Sequence, residues 1–268
     1  MPLVQTARVA LWAEEAGDGP RVLSLAGAGG DLRKAPSIFE TPLGARCRVL
    51  AFDARGCGRS EKPDTPTTMA DFADDAAALL DAVGWERAHV VGYSFGGMVA
   101  QHLALRHPDR IERLVLAATS PGGAGGSSYP LHELAHLASR ERAMKSAAIM
   151  DTRIAEAALA HPTPALEARI RIIETYGDAF MDEPGARAGR ARQLAARAQH
   201  DCWEALPRIP HTTLVCGGLH DGQAPRAAVA NLASRLPNAT LRWYTGGHAF
   251  AIERPEFWRD VADFFAGG

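Results

Sequence analysis

A chain of 268 residues is long enough for one α/β domain with a large core, and its length alone does not require a second domain. Its formal net charge of -2, with no run of Lys or Arg, leaves no basic excess for phosphates or anionic lipid. Nucleic acid and membrane surfaces are therefore set aside as partners in favour of a small molecule.

In chain order, residues 1–12 lack both a basic n-region and an apolar h-region, so no secretory leader is expected. No apolar stretch is long enough to span a bilayer. Cys47, Cys57, Cys202 and Cys216 show neither CxxC nor zinc-finger spacing, which fits reduced thiols in a cytoplasmic protein rather than disulfides or structural zinc. Short β-branched runs predict strands at 8–12, 22–25, 48–52, 89–91, 114–117, 213–216 and 241–244. Helical periodicity predicts helices at 69–83, 97–106 and 225–235. This alternation is the pattern of an α/β fold, a mostly parallel central sheet flanked by helices.

The alternation stops at the glycine-rich run 119–126, and no convincing strand follows before 213. Helical stretches at 166–176 and 187–200, broken by prolines, predict a helical cap spanning 122–203. That cap would be inserted into a core made of 1–121 and 204–268, because a sheet needs both strand-bearing parts. The Ala and Arg bias of the region carries no functional reading.

The most informative segment is Gly92-Tyr93-Ser94-Phe95-Gly96, a GxSxG between an apolar strand and an Ala-rich helix. Five such residues arise easily by chance among 26 glycines, but the strand before and the helix after are the context that a nucleophile elbow needs. There the chain turns so sharply that flanking side chains would clash, and the serine oxygen is left exposed above the sheet. A serine hydroxyl needs an imidazole to take its proton and a carboxylate to orient that imidazole. Asp221, in the loop after the strand at 213–216, and His248, after the strand at 241–244, supply both. Ten histidines make any one of them an ordinary residue by default. His248 stands out by position, whereas His220 adjoins Asp221 and should point elsewhere.

With these residues, the sequence resembles the α/β-hydrolase superfamily, in particular its esterase, enol-lactonase and cofactor-free haloperoxidase group. Asp53-Ala54-Arg55-Gly56-Cys57-Gly58-Arg59-Ser60 resembles the DxRGxGxS loop of that group, and Gly246-Gly247-His248 with Glu253-Arg254-Pro255-Glu256 is also similar. The resemblance implies an oxyanion hole formed by the backbone N–H groups of Ala28 and Phe95. In Leu25-Ala26-Gly27-Ala28-Gly29-Gly30, Ala26 replaces the histidine of the family's HG pair, removing a side chain that would orient the loop. The same glycines do not fit GxGxxG or a P-loop, because Leu32 stands where glycine is required.

The resemblance implies acyl transfer through an acyl-enzyme on Ser94, with an ester, lactone or thioester as substrate and neither metal nor organic cofactor. Aspartate-nucleophile relatives are disfavoured by Ser94. Two alternatives stay open: the same triad used for perhydrolysis, C–C cleavage or lyase chemistry, and a ligand-binding protein with little turnover. Tyr129, His132, His136, Met150 and Trp203 could line the pocket, but such residues on helices more often pack than bind. The oligomeric state is not legible.

Overall fold

A computed structural model describes residues 3–267; Met1 and Pro2, at the head of the stretch without leader features, and Gly268 lie outside the described residues. Eight strands form one sheet in the order β1-β2-β4-β3-β5-β6-β7-β8. They are β1 (Leu3–Gln5), β2 (Ala10–Ala16), β3 (Arg21–Leu25), β4 (Arg48–Phe52), β5 (Ala88–Tyr93), β6 (Ile111–Ala117), β7 (Thr213–Gly218) and β8 (Ala239–Tyr244). The pairs β1–β2 and β2–β4 are antiparallel, and the rest of the sheet is parallel. The α/β architecture expected from the alternation is the one observed.

Period-2 patterning explains how the sheet is buried on both faces. Leu23, Leu50, Val90, Leu114 and Val215 face one layer, where they pack with Phe72, Leu80, Val99, Leu103 and Leu232. Their chain neighbours Val22, Val49, Val91, Val115 and Leu214 face the other, against Phe257, Val261 and Phe265. The first layer holds α1 (Met69–Ala82), α2 (Phe95–Arg106) and α7 (Arg226–Arg235); the second holds α8 (Phe250–Glu253) and α9 (Pro255–Phe265). Helix α1 starts at a capping box, in which the Thr68 side chain accepts from the Asp71 N–H and the Asp71 carboxylate accepts from the Thr68 N–H.

Between β6 and β7 the chain forms α3 (Ser139–Met150), α4 (Glu156–Ala160), α5 (Pro164–Asp178) and α6 (Ala186–Ala198). Ala143, Ala147 and Ile170 make a small separate apolar cluster there, between α3 and α5. Helix α6 meets the loop that follows β4 at Gly189, where a Cβ would stand 1.9 Å from the Gly56 carbonyl oxygen. Only glycine lets these two backbones approach so closely. Among the described residues no helix is long and apolar enough to cross a membrane.

Parallel register aligns the carboxyl ends of the strands: Leu25 lies beside Gly92, Tyr93 beside Ala117, and Gly218 beside Tyr244. The loops after β3, β5, β7 and β8 therefore open on one edge of the sheet, where ligands of open α/β sheets bind.

Candidate active site

Ser94 sits between β5 and α2 at φ 55 and ψ -114, a backbone region that non-glycine residues seldom occupy. Its carbonyl accepts the Gly97 and Met98 N–H groups while its own N–H donates to Ala117 at 2.8 Å, so both sides of the turn are held. Space demands the second glycine of the motif, since a Cβ on Gly96 would lie 1.9 Å from the Leu25 carbonyl oxygen.

The loops after β7 and β8 bring Asp221 and His248 to this serine. His248 Nε2 lies 3.0 Å from Ser94 Oγ, and His248 Nδ1 lies 2.8 Å from Asp221 Oδ2. Asp221 Oδ1 accepts the Gln223 and Ala224 N–H groups, each at 2.8 Å, which fixes the orientation of the carboxylate. All three side chains are buried. With Asp221 Oδ2 as the acceptor, His248 donates from Nδ1, and its Nε2 accepts from the serine hydroxyl. His220 does not join this chain; its carbonyl accepts the Thr152 N–H at 2.9 Å.

The His248 loop is braced twice. Its N–H donates to the Met150 carbonyl at 2.6 Å, and the Tyr93 hydroxyl donates to the His248 carbonyl. Burial, with the Asp221 charge nearby, holds Tyr93 well above the usual phenol range, so it stays a neutral donor. Gln223 was not anticipated as a site residue: its Nε2 lies 2.7 Å from His248 Nε2 and 3.3 Å from Ser94 Oγ. The available signal was a polar side chain two positions after Asp221.

Of the two amides assigned to an oxyanion hole, Phe95 N–H is at the first position of α2, where helix donors have no partner within the helix. Ala28 lies in the turn closed by the Gly30 N–H on the Gly27 carbonyl at 3.0 Å, and a Cβ on Gly27 would be 3.7 Å from Ser94 Cβ. Among the described residues neither amide donates to another protein group. Beside Ala26 lies a cavity of about 20 Å³, lined also by Phe72, Asp75, Arg55 and Gln193. Of the other pocket candidates, Tyr129 contacts Gln223 through its backbone, Trp203 packs on Gly125, and His132 and His136 are exposed.

The chain matches the model of the alpha/beta hydrolase fold over residues 20–255. The chain belongs to the alpha/beta hydrolase fold family. It is 34% identical to the protein named "Putative carbamate hydrolase RutD" from Caulobacter sp. (strain K31), over 94% of this chain and 92% of that one. It is 32% identical to a 2-hydroxymuconate semialdehyde hydrolase of Pseudomonas putida, over 82% of this chain and 77% of that one. The crystal structure of the enol-lactonase from Burkholderia xenovorans LB400 is similar, with a TM-score of 0.81, 27% identity and coverage of 99% and 100% of the two chains. The α/β hydrolase anticipated from the motifs is thus the family found, and the chain is an enzyme of that family.

Among the described residues, one cluster could supply metal ligands: His102, His200 and Cys202 bring their donor atoms within 4.8 Å of one another. The two imidazoles already satisfy each other. His200 Nε2 lies 3.0 Å from the Ser120 carbonyl, so it carries the proton, and His200 Nδ1 accepts from His102 Nε2 at 3.2 Å. Burial pulls His200 down to about 3, with His102 adding to the shift, and pulls His102 down to about 4, with Arg106 adding. Both are neutral in the native protein, whereas an unfolded histidine takes up its proton below a pKa of about 6.5. Stability is therefore complete above that pH and falls as pH drops from about 6.5 toward 4, where the unfolded chain binds more protons. Urea unfolding should show a lower free energy at pH 5 than at pH 7, with a smaller loss in the H102Q/H200Q variant. Equal losses would rule out this pair as the source.

Proposed function

We propose that this enzyme is a serine hydrolase that cleaves a small-molecule carboxylic ester, lactone or thioester through an acyl-enzyme on Ser94. A hydrolase of small molecules is the broader reading that the named relatives support. The observation that carries the finer one is the continuous chain Asp221–His248–Ser94, at 2.8 and 3.0 Å, ending on a serine held at φ 55.

In this mechanism His248 Nε2 takes the hydroxyl proton as Ser94 Oγ attacks the carbonyl carbon. Asp221 stabilises the resulting imidazolium without itself becoming protonated. The N–H groups of Ala28 and Phe95 receive the oxygen that becomes negative, and each such donor is worth on the order of a hundredfold to a thousandfold in rate. Collapse of the tetrahedral intermediate passes the proton from His248 to the leaving group. A water, deprotonated by His248, then releases the acid and restores Ser94. The chemistry needs no cofactor.

The division that goes with this reading is a catalytic core of 1–121 and 204–268, with 122–203 as a helical cap over the strand ends. Support comes from the His248 N–H on the Met150 carbonyl and from the Gly29 N–H on Gln193 Oε1 at 2.7 Å, both of which tie helical-segment residues to catalytic loops. Four free, buried thiols support a cytoplasmic setting.

The test is covalent trapping. The protein is treated with a fluorophosphonate, digested and analysed by mass spectrometry, alongside turnover of 4-nitrophenyl esters. A single adduct on the peptide containing Ser94, with loss of turnover in proportion to labelling, is expected. Labelling elsewhere with turnover abolished would reject Ser94 as the nucleophile.

A further inference from the structure

Gln223 lies in the turn Asp221-Gly222-Gln223-Ala224-Pro225 between β7 and α7. Its backbone is held on both sides. The N–H donates to Asp221 Oδ1 at 2.8 Å, the turn that an aspartate makes with the residue two ahead, and the carbonyl accepts the Tyr129 N–H at 2.8 Å. The side chain, on a residue 7% exposed, points at the reacting atoms: Nε2 stands 2.7 Å from His248 Nε2 and 3.3 Å from Ser94 Oγ. Among the described residues these are its side chain's only hydrogen-bond partners.

His248 donates from Nδ1 to Asp221, so its Nε2 offers one lone pair in the ring plane, and the carboxamide faces it with the NH2 group. Two donors reach that lone pair, the amide at 2.7 Å and the Ser94 hydroxyl at 3.0 Å. Catalysis needs a third atom in the same place. To take the proton, a leaving-group oxygen has to come within about 2.6–3.2 Å of His248 Nε2, on the side that faces Ser94 Oγ. The amide nitrogen already occupies that position, so an entering ester has to displace it. A displaced carboxamide gives up both of its bonds inside a buried site. An all-carbon leaving group leaves its hydrogens unpaired, whereas one that bears a further oxygen accepts them.

We propose that Gln223 selects the leaving group, so that the ester cleaved at Ser94 has an alcohol portion with a second acceptor oxygen two or three bonds beyond the scissile one. That oxygen takes over the amide as the leaving atom takes over His248 Nε2. The selecting group is a neutral amide, which asks for an acceptor atom and not for a charge. The inference rests on the serine-hydrolase reading and adds to it the polarity of the group released.

Two esters test it: 2-methoxyethyl butanoate and butyl butanoate differ by one oxygen in place of a methylene and form the same acyl-enzyme, so any difference between them arises in acylation. The comparison is with Gln223→Met, which keeps the length of the side chain and removes its hydrogen bonds. The methoxyethyl-to-butyl ratio of kcat/KM should be about tenfold to a hundredfold higher in wild type than in that variant. Butyl butanoate itself should be cleaved faster by Gln223→Met than by wild type, a gain that a merely structural role does not produce. If Gln223→Met melts well below wild type, Gln223→Leu takes its place. The resting contact is read separately, by NMR of protein labelled with 15N-histidine. In Ser94→Ala the carboxamide is, among the described residues, the donor left to His248 Nε2, and adding Gln223→Met should move the Nε2 resonance. A ratio unchanged by the substitution in an enzyme that cleaves both esters, or a resonance that stays in place, overturns the proposal. Absence of turnover with Ser94 unlabelled by the fluorophosphonate is instead the failure of the serine-hydrolase reading, on which the resonance does not depend.

Discussion

Ser94→Ala is expected to lower kcat for ester hydrolysis by about ten-thousandfold to a millionfold, with KM and melting temperature near wild-type values. The loss is large because nucleophile, base and carboxylate act as a unit, so removing the nucleophile leaves only positioning and the oxyanion donors, worth roughly a thousandfold or more over water. Folding should be spared for local reasons. Alanine bears the same strain at φ 55 as serine does, so none is added. The lost hydroxyl does not leave His248 Nε2 orphaned either, because Gln223 Nε2 remains 2.7 Å away. Single-turnover kinetics with a 4-nitrophenyl ester, read beside the melting temperature, checks both halves. Wild-type turnover by the alanine variant would remove Ser94 from the chemistry, and a collapsed melting temperature would show that the hydroxyl holds the elbow together.

The elements that carry the site are the most legible in the sequence, because each is announced by local rules. GxSxG is bounded by a strand and a helix, and Asp221 and His248 each follow a short apolar run, so chain order alone places them at neighbouring strand ends. Elements whose signal is not apolar periodicity escape the sequence or come out too short. Strand β2 runs on through Glu14 and Glu15, which have the polarity of a loop but pair with Arg59 and Arg48 at the sheet's edge. Strand β1 is only three residues long, with Leu3 exposed. Helix α3 buries little more than Ala143 and Ala147, too weak a stripe to show. Helix α9 is a different case, with a clear apolar stripe of Phe257, Val261 and Phe265 and proline in its first turn as a start signal; Glu253-Arg254-Pro255-Glu256 stands out there as a motif rather than as a helix start. Gln223 owes its place beside Ser94 and His248 to neighbours distant in the chain. In Arg-rich α6, composition does not say that Arg187 and Arg192 pair with Asp182 and Asp64 while Arg197 is buried.

Asp75→Ala is expected to destabilise the fold by about 3–5 kcal/mol, chiefly because of the unpaired charge that it leaves in the interior. Asp75, 1% exposed on α1, accepts from both Nε and Nη2 of Arg55, itself buried in the loop after β4. Alanine would leave that guanidinium enclosed without a counter-charge, whereas Arg8, the other partner at 3.1 Å, keeps Asp71 at 2.8 Å and reaches water. At roughly 2–4 °C per kcal/mol for a protein near this size, melting should fall by about 6–20 °C. Because an apolar pair of similar volume can replace a buried ion pair at little cost, Asp75→Leu combined with Arg55→Met should recover most of that fall. The same pair lines the cavity beside Ala26 and Gly27, so the single variant should also loosen the turn that presents the Ala28 N–H and reduce kcat more than it raises KM. Calorimetry of the wild type, the single variant and the double variant decides it. A double variant melting as low as Asp75→Ala would mean that packing, not the uncompensated charge, is what Asp75 supplies.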